Sequence, residues 1–215
     1  MQELISNFLF VGTGLAFTLK LLIGGLLLGV SLGGLLSVLR YNKICIPLIN
    51  GIISVIRGTP LILQLSVVYF MTPTIAGIKL NIFSAGIIAF GLNSCAYIAE
   101  ILRAGIETIS KNQFEAAKTL QIPSFCMWRD IILPQVIKNI LPAMINEIIA
   151  LLKETALIST IGGVDIMRSA QMLAAEQFTY FIPLCLAGAY YYALVLLIEY
   201  IGKKIEQKGI YDKNA

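Results

Sequence analysis

The chain has 215 residues, of which 58% are hydrophobic and only 13% charged, with a formal net charge of +4. A water-facing globular surface needs roughly a quarter charged residues, so this composition excludes a soluble domain. There is no histidine, and Cys45, Cys95, Cys126 and Cys185 show no paired spacing, which removes a His-based general base and a Cys/His metal site; no catalytic or metal-binding residue is assigned.

In chain order, residues 21–39, 58–78, 80–99 and 177–198 carry no charge, and each reaches the roughly 20 apolar residues that cross a hydrocarbon core as a helix. A fifth run, 139–152, is interrupted only by Glu147. The expected fold is all-α: one polytopic domain over residues 1–215, with five transmembrane helices near 8–39, 58–78, 80–103, 134–158 and 178–202 and a polar loop over 104–133. The first span is expected to be a retained helix, because no positive charge precedes its apolar stretch as in a secretion signal. No internal repeat divides the chain into two halves.

Gly24, Gly25, Gly29, Gly33 and Gly34 give the first span a stripe of small residues. Such stripes let helices approach closely in lipid, either within one subunit or against a second. Before the second span, Thr59 is placed for an N-cap and Pro60 for the first helical position. Twelve of the 16 basic residues fall in the Arg40 to Arg57 loop, the Arg103 to Lys138 segment and the tail after Gly202. The positive-inside rule therefore puts the N-terminus outside and the C-terminus in the cytoplasm. The net charge reflects this topology, and no nucleic-acid partner is expected.

The polar segment between the third and fourth spans begins with Ser110 and Gln113, the spacing of a capping box. Phe114, Ala117 and Leu120 then form an apolar ridge on a helix over about 111–120. Pro123 ends or bends that helix, and Ser124 can cap the next. A plain connector needs only a few residues; this segment has the size of a docking element or of a self-packed cap. The chain lacks a G-x-x-x-x-G-K-[ST] loop, so any ATP must be handled by a partner.

"FEAAKTLQIPSFCMWRDIILP" (114–134) resembles the EAA loop of the membrane subunits of ATP-binding cassette importers. Glu115, Ala116, Ala117, Ile131, Leu133 and Pro134 match its pattern, whereas Gln121 stands where the family has glycine. That glutamine implies a different turn, carried by Pro123. "RGTPLILQL", "LNSCAYIAEILRAGIETI" and "ILPQVIKNILPAMINEIIALLKETALISTIG" resemble the polar amino-acid branch, the permeases for histidine, glutamine and arginine. The resemblance implies a transporter subunit of the bacterial plasma (inner) membrane, not an enzyme. By the same resemblance it would pair with a second permease subunit, as a homodimer or with a paralogue, move a polar amino acid of the glutamine type, and receive it from an extracytoplasmic solute-binding protein. ABC ATPase subunits bring ATP and Mg, so no cofactor belongs to this chain. Glu115, Ala116, Ala117 and Gln121 would carry the ATPase coupling.

Intramembrane polar groups cost enough that they usually face a cavity or a partner. Asn93, Tyr97 and Glu100 share one helical face at i, i+4 and i+7. Glu147 and Glu154, flanked by Asn146 and Lys153, form a second polar stripe. Together they could line a pathway for an amino-acid zwitterion. Alternatively, Glu100 pairs with Arg103, and Lys153 with Glu154, at the membrane interfaces. A different class of function also fits these carboxylates: a stand-alone, ion-coupled secondary amino-acid transporter working through Glu100 and Glu147. A non-transporting scaffold would leave the stripe in the fourth span without a purpose.

Overall fold

The computed structural model describes residues 2–211; Lys213, one of the basic tail residues counted above, lies outside them. Among the described residues every regular element is helical. These are α1 (Gln2–Gly12), α2 (Leu15–Tyr41), α3 (Ile46–Gly58), α4 (Leu61–Ala76), α5 (Ile82–Glu107), α6 (Lys111–Thr119), α7 (Ser124–Ile161), α8 (Ile166–Gln177) and α9 (Phe181–Tyr211). Four stretches are long and apolar enough to cross a membrane: Gln2–Tyr41, Ile82–Glu107, Ser124–Ile161 and Phe181–Gln207. The pair α3 and α4 makes a fifth if its bent halves count as one span.

That bend is the main departure from the expected helices. In place of one helix from residue 58, α3 and α4 meet at 102°. Thr59 is extended, at φ −114 and ψ 142, because the ring of a following proline disfavours helical backbone in the residue before it. Thr59 is therefore the end of α3, and Pro60 rather than Thr59 occupies the N-cap of α4. The Thr59 hydroxyl donates back to the Val55 carbonyl at 2.9 Å and accepts from Gln64 Nε2 at 2.9 Å. Wide π-helical turns at Val67–Met71 and Met127–Ile132 each precede a proline, Pro73 and Pro134, whose missing N–H interrupts the regular ladder.

Helix α5 is the central element. Asn81 caps it, accepting from the Ser84 N–H at 2.7 Å, and its small residues Ala85, Gly86, Ala89, Gly91, Ala96 and Ala99 are buried. Its most extensive partner is α2. A Cβ added at Gly25 would meet Phe90 at 3.3 Å, one at Gly29 would meet Ser94 at 2.9 Å, and one at Gly33 would meet the Cys95 carbonyl at 2.8 Å. One added at Gly24 would meet Ile87 at 2.7 Å, so four of the five glycines of the stripe seat α2 on α5 within the same chain, while Gly34 has no neighbour within 4 Å. Close packing of this kind, not water exclusion, is what associates helices in lipid.

Ile49 and Ile53 of α3 pack on Ala96 and Ala99 of α5, and three further layers complete the bundle. Leu21, Leu65, Phe90, Leu151, Leu152 and Ile158 fill the middle between α2, α4, α5 and α7. At one end Ile109, Ala117, Met127, Ile132, Val136 and Ile140 bind α6 to the base of α7. At the other, Val11, Ile166, Ala170, Leu173 and Ala187 hold α8 between α1 and α9.

Candidate functional site

The polar segment folds as a helix, a tight turn and the start of α7. Ser110 does cap α6, but its Oγ accepts from the Asn112 N–H at 3.3 Å, and Gln113 does not close a capping box. The Gln113 amide instead exchanges two hydrogen bonds with Gln135 of α7, at 3.1 and 2.8 Å. Ser124 is the first residue of α7, and Pro123 takes the cap position. Phe114 and Ala117 face inward, Ala117 with only 3% exposure, and Trp128 packs edge-on against both Phe114 and Tyr41 of α2.

The apolar ridge expected from Phe114, Ala117 and Leu120 is therefore split. Its first two residues seat α6 on the chain itself, and Leu120 is 72% exposed. Glu115, Ala116 and Phe125 are exposed as well, with the Arg129 guanidinium 5.4 Å from the Phe125 ring centre. Of the EAA residues, Glu115 and Ala116 are presented outward, and Ala117 supports them from beneath.

Gln121 has φ +53, the left-handed conformation that glycine adopts without strain. The N–H of Gln121 bonds the Lys118 carbonyl and the N–H of Ile122 the Ala117 carbonyl, both at 3.0 Å. This is the paired bonding of a Schellman turn with Gln121 at the glycine position. The expectation of a different turn carried by Pro123 is corrected: the turn keeps its left-handed residue, since two helix carbonyls need these donors, and glutamine tolerates the strain there.

The expected face of α5 divides in the same way. Asn93 is buried and donates to Gln64 Oε1 at 3.3 Å, and the Gln64 amide bonds the Ile56 carbonyl at 2.7 Å. Gln64 thereby ties the α3–α4 elbow to the middle of α5. Tyr97 sits below, with the Arg57 guanidinium 5.2 Å from its ring centre. Glu100 is gripped by Arg40 and by Arg103, the latter at 2.9 and 3.2 Å, and Arg103 continues to Glu107 at 2.7 Å. The pairing of Glu100 with Arg103 is present, and Arg40 from α2 joins it. With both oxygens engaged by guanidinium groups, Glu100 is a poor candidate for the coupling carboxylate of an ion-driven carrier.

On α7, Glu147 accepts a 2.6 Å hydrogen bond from Ser94 Oγ of α5. Glu154 lies half-buried two turns on, whereas Asn146 and Lys153 are exposed at the flanks. The structure brings Glu147 to α5 at the level of Asn93, but it separates Glu100 toward the α6 end. Residues that sequence reasoning missed are Ser94, Gln64 and Arg40. The available signal was the expense of Glu100 and Glu147 in an apolar span, since buried charges require partners.

A further polar knot was also missed. Asp165 is fully buried and caps α8, accepting from the Arg168 N–H at 2.8 Å and from the Tyr191 hydroxyl at 3.0 Å. Burial pushes its carboxyl above the ordinary value, and these hydrogen bonds oppose the shift. The adjacent Thr18 hydroxyl accepts from the Ile166 N–H, while the Asn7 and Gln177 amides bond each other. No group of three or more Cys, Asp and Glu that could hold a metal ion occurs among the described residues.

Comparison with known proteins places this arrangement. Residues 25–208 match the family described as "Binding-protein-dependent transport system inner membrane component". A Rickettsia typhi protein described as a glutamine transport system permease is 49% identical over 94% of this chain and 94% of its own length. The arginine transport system permease protein of Bacillus subtilis is 44% identical over 93% of this chain and 92% of its own. Among solved structures, an amino acid ABC transporter with histidines superposes with a TM-score of 0.87, at 35% identity, over 96% of this chain and 97% of that one.

Proposed function

The chain belongs to the family of binding-protein-dependent transport system inner membrane components, and from that premise we propose that α6 and its turn carry ATPase motion to a pathway for glutamine. The chain is the permease subunit of an amino-acid ATP-binding cassette importer, a multi-pass protein of the bacterial inner membrane. It is a transport component, and ATP is hydrolysed by a separate subunit.

One observation carries the coupling role. Glu115 and Ala116 are exposed on a helix whose other face is locked to α7 through Ala117 and the Gln113–Gln135 pair, and Leu120 at its end and Phe125 at the start of α7 are exposed too. A surface helix so anchored transmits a push into α7 instead of absorbing it, and apolar residues edged by charge suit a groove on a partner. The partners in this reading are two ATPase subunits against α6, an external solute-binding protein at the α8 end, and a second permease subunit, either a copy or a paralogue. The α6 end, with Arg40, Arg57 and Arg103, is cytoplasmic.

The pathway runs along the polar faces of α5 and α7. Asn93 and Tyr97 contribute one wall, with Gln64; Asn146, Glu147, Lys153 and Glu154 contribute the other, offering donors and acceptors to a zwitterion. Glu100 serves as the anchor of the arginine cluster. The glutamine assignment follows the name of the Rickettsia relative; the arginine name of the Bacillus relative makes a cationic substrate the comparison. The test is uptake of labelled glutamine, arginine and histidine into vesicles holding this chain with its ATPase and binding protein. The expected result is ATP-dependent glutamine uptake that requires all three proteins; uptake by this chain alone under an ion gradient would overturn the reading.

A further inference from the structure

Arg57 differs from the other arginines at the α6 end. Glu100 is already bonded by Arg40 and Arg103, and Arg103 is shared with Glu107. Arg57 approaches Glu100 only to 3.8 Å and keeps 43% of its side chain exposed, with its guanidinium beside the Tyr97 ring. Three guanidinium groups face two carboxylates, so one positive charge remains, and Arg57 is the cation least engaged. It borders an open groove of about 360 Å³ between α3, α5 and α7, whose other polar lining is Tyr97, Arg103, Thr108, Asn139 and Glu100, the last with its charge offset by Arg40 and Arg103. The Asn139 amide donates to Thr108 Oγ1 at 2.9 Å. Its second N–H has no hydrogen-bond acceptor among the described residues, and Asn139 is exposed.

This groove continues the polar face of α5. From Asn93 and Gln64 in the middle of the bundle, the face passes Tyr97 and ends at Arg57. A guanidinium offers a planar fork that matches a carboxylate, and the aromatic face of Tyr97 helps hold that fork in place. We infer that the groove is an exit subsite for the α-carboxylate of the transported amino acid, with Arg57 as its cation and Asn139 as a neutral donor. The assignment rests on the importer reading given above. Because Arg57 is half exposed, its attraction is screened by salt, so the subsite releases its occupant readily, as a pathway requires.

The chain contains five arginines, at 40, 57, 103, 129 and 168, so the Nε–H resonances of the full chain in nanodiscs can be assigned by single substitution after 15N-arginine labelling. Acetate, glutamine, glutaminamide and inorganic phosphate are the probes. Acetate and glutamine are expected to shift the Arg57 resonance saturably, glutaminamide to shift it at least several-fold less, and Arg129 and Arg168 to stay still. Arg103, which lines the same groove, should shift with Arg57; Arg57→Gln should abolish that shift, and Asn139→Ala, as a second variant, should weaken the glutamine response several-fold. Equal responses to glutamine and glutaminamide, no response at Arg57, or a response to phosphate alone would each overturn the subsite. Vesicle uptake is read separately: loss of uptake with the Arg57 shift intact counts against the importer reading and not against the groove.

Discussion

The Ile122 N–H bonds the Ala117 carbonyl at 3.0 Å, closing the turn between α6 and α7 over Gln121, whose φ is +53. A side chain in left-handed backbone costs about 1–2 kcal/mol relative to glycine. Gln121→Gly should therefore stabilise the turn by about 1 kcal/mol, after the larger chain entropy of glycine is set against the relief of strain. Slower hydrogen exchange at Gln121 and Ile122, with transport retained, is the expected measurement. Faster exchange would mean that the glutamine side chain contributes a contact that outweighs its strain.

The glycines of α2 are not equivalent. Gly29→Ala places a Cβ against Ser94 and disturbs the hydroxyl that bonds Glu147, so a loss of roughly 1–3 kcal/mol is expected from overpacking. Gly34→Ala meets nothing within 4 Å and should stay within about 0.5 kcal/mol of the parent. Thermal denaturation of both variants in detergent checks the contrast, which a uniform helix-propensity effect would erase.

Glu100 and Glu107 separate a structural ion cluster from a surface pair. Glu100→Gln leaves Arg40, Arg57 and Arg103 around a neutral amide. It should cost about 2–3 kcal/mol, somewhat less than a fully buried pair because the site is partly exposed. Glu107, 62% exposed and paired only at i,i+4, should cost under about 0.5 kcal/mol as Glu107→Gln. Equal destabilisation by the two substitutions would contradict the arrangement.

Asp165 gives a pH signature at the opposite end. Its folded carboxyl titrates above the ordinary value of 3.8 because it is buried. The folded state therefore binds more protons than the unfolded one between that value and the raised one. The contribution of Asp165 to stability accordingly falls as pH rises through this window. Asp165→Asn keeps an acceptor for the Arg168 N–H and the Tyr191 hydroxyl without the charge, and should flatten the pH profile. Melting temperatures of the two forms from pH 4 upward test it; parallel profiles would show that Asp165 does not titrate in this range.

Much of this was legible from the residues. Three of the uncharged runs, 21–39, 80–99 and 177–198, overlie helices long and apolar enough to cross a membrane, since a bilayer core tolerates little else, and the EAA pattern with "RGTPLILQL" identifies the family. What stayed hidden depended on contacts far apart in sequence. Ser94 is an unremarkable small residue until α2 brings Gly29 against it, and Arg40 reads as a loop charge until α2 delivers it to Glu100, 60 positions away. Ala117 lies in the motif beside Ala116, yet one faces the core and the other solvent, a distinction set by where α7 returns. The elbow at Thr59–Pro60 was readable in principle, because proline constrains its predecessor, but the same dipeptide also suits a helix start.

We propose α6 as the coupling contact with the ATPase, and Glu115→Lys probes that contact. Glu115 is exposed, so reversing its charge should leave the permease folded in the membrane. The measurement is ATP-driven glutamine uptake by the assembled transporter, with ATP hydrolysis followed in parallel. At least a tenfold loss of uptake is expected, which a weakening of about 1.4 kcal/mol would produce, while hydrolysis persists or the ATPase dissociates. Uptake at the parental rate with normal hydrolysis would contradict it and move the coupling surface away from Glu115, Ala116 and Leu120.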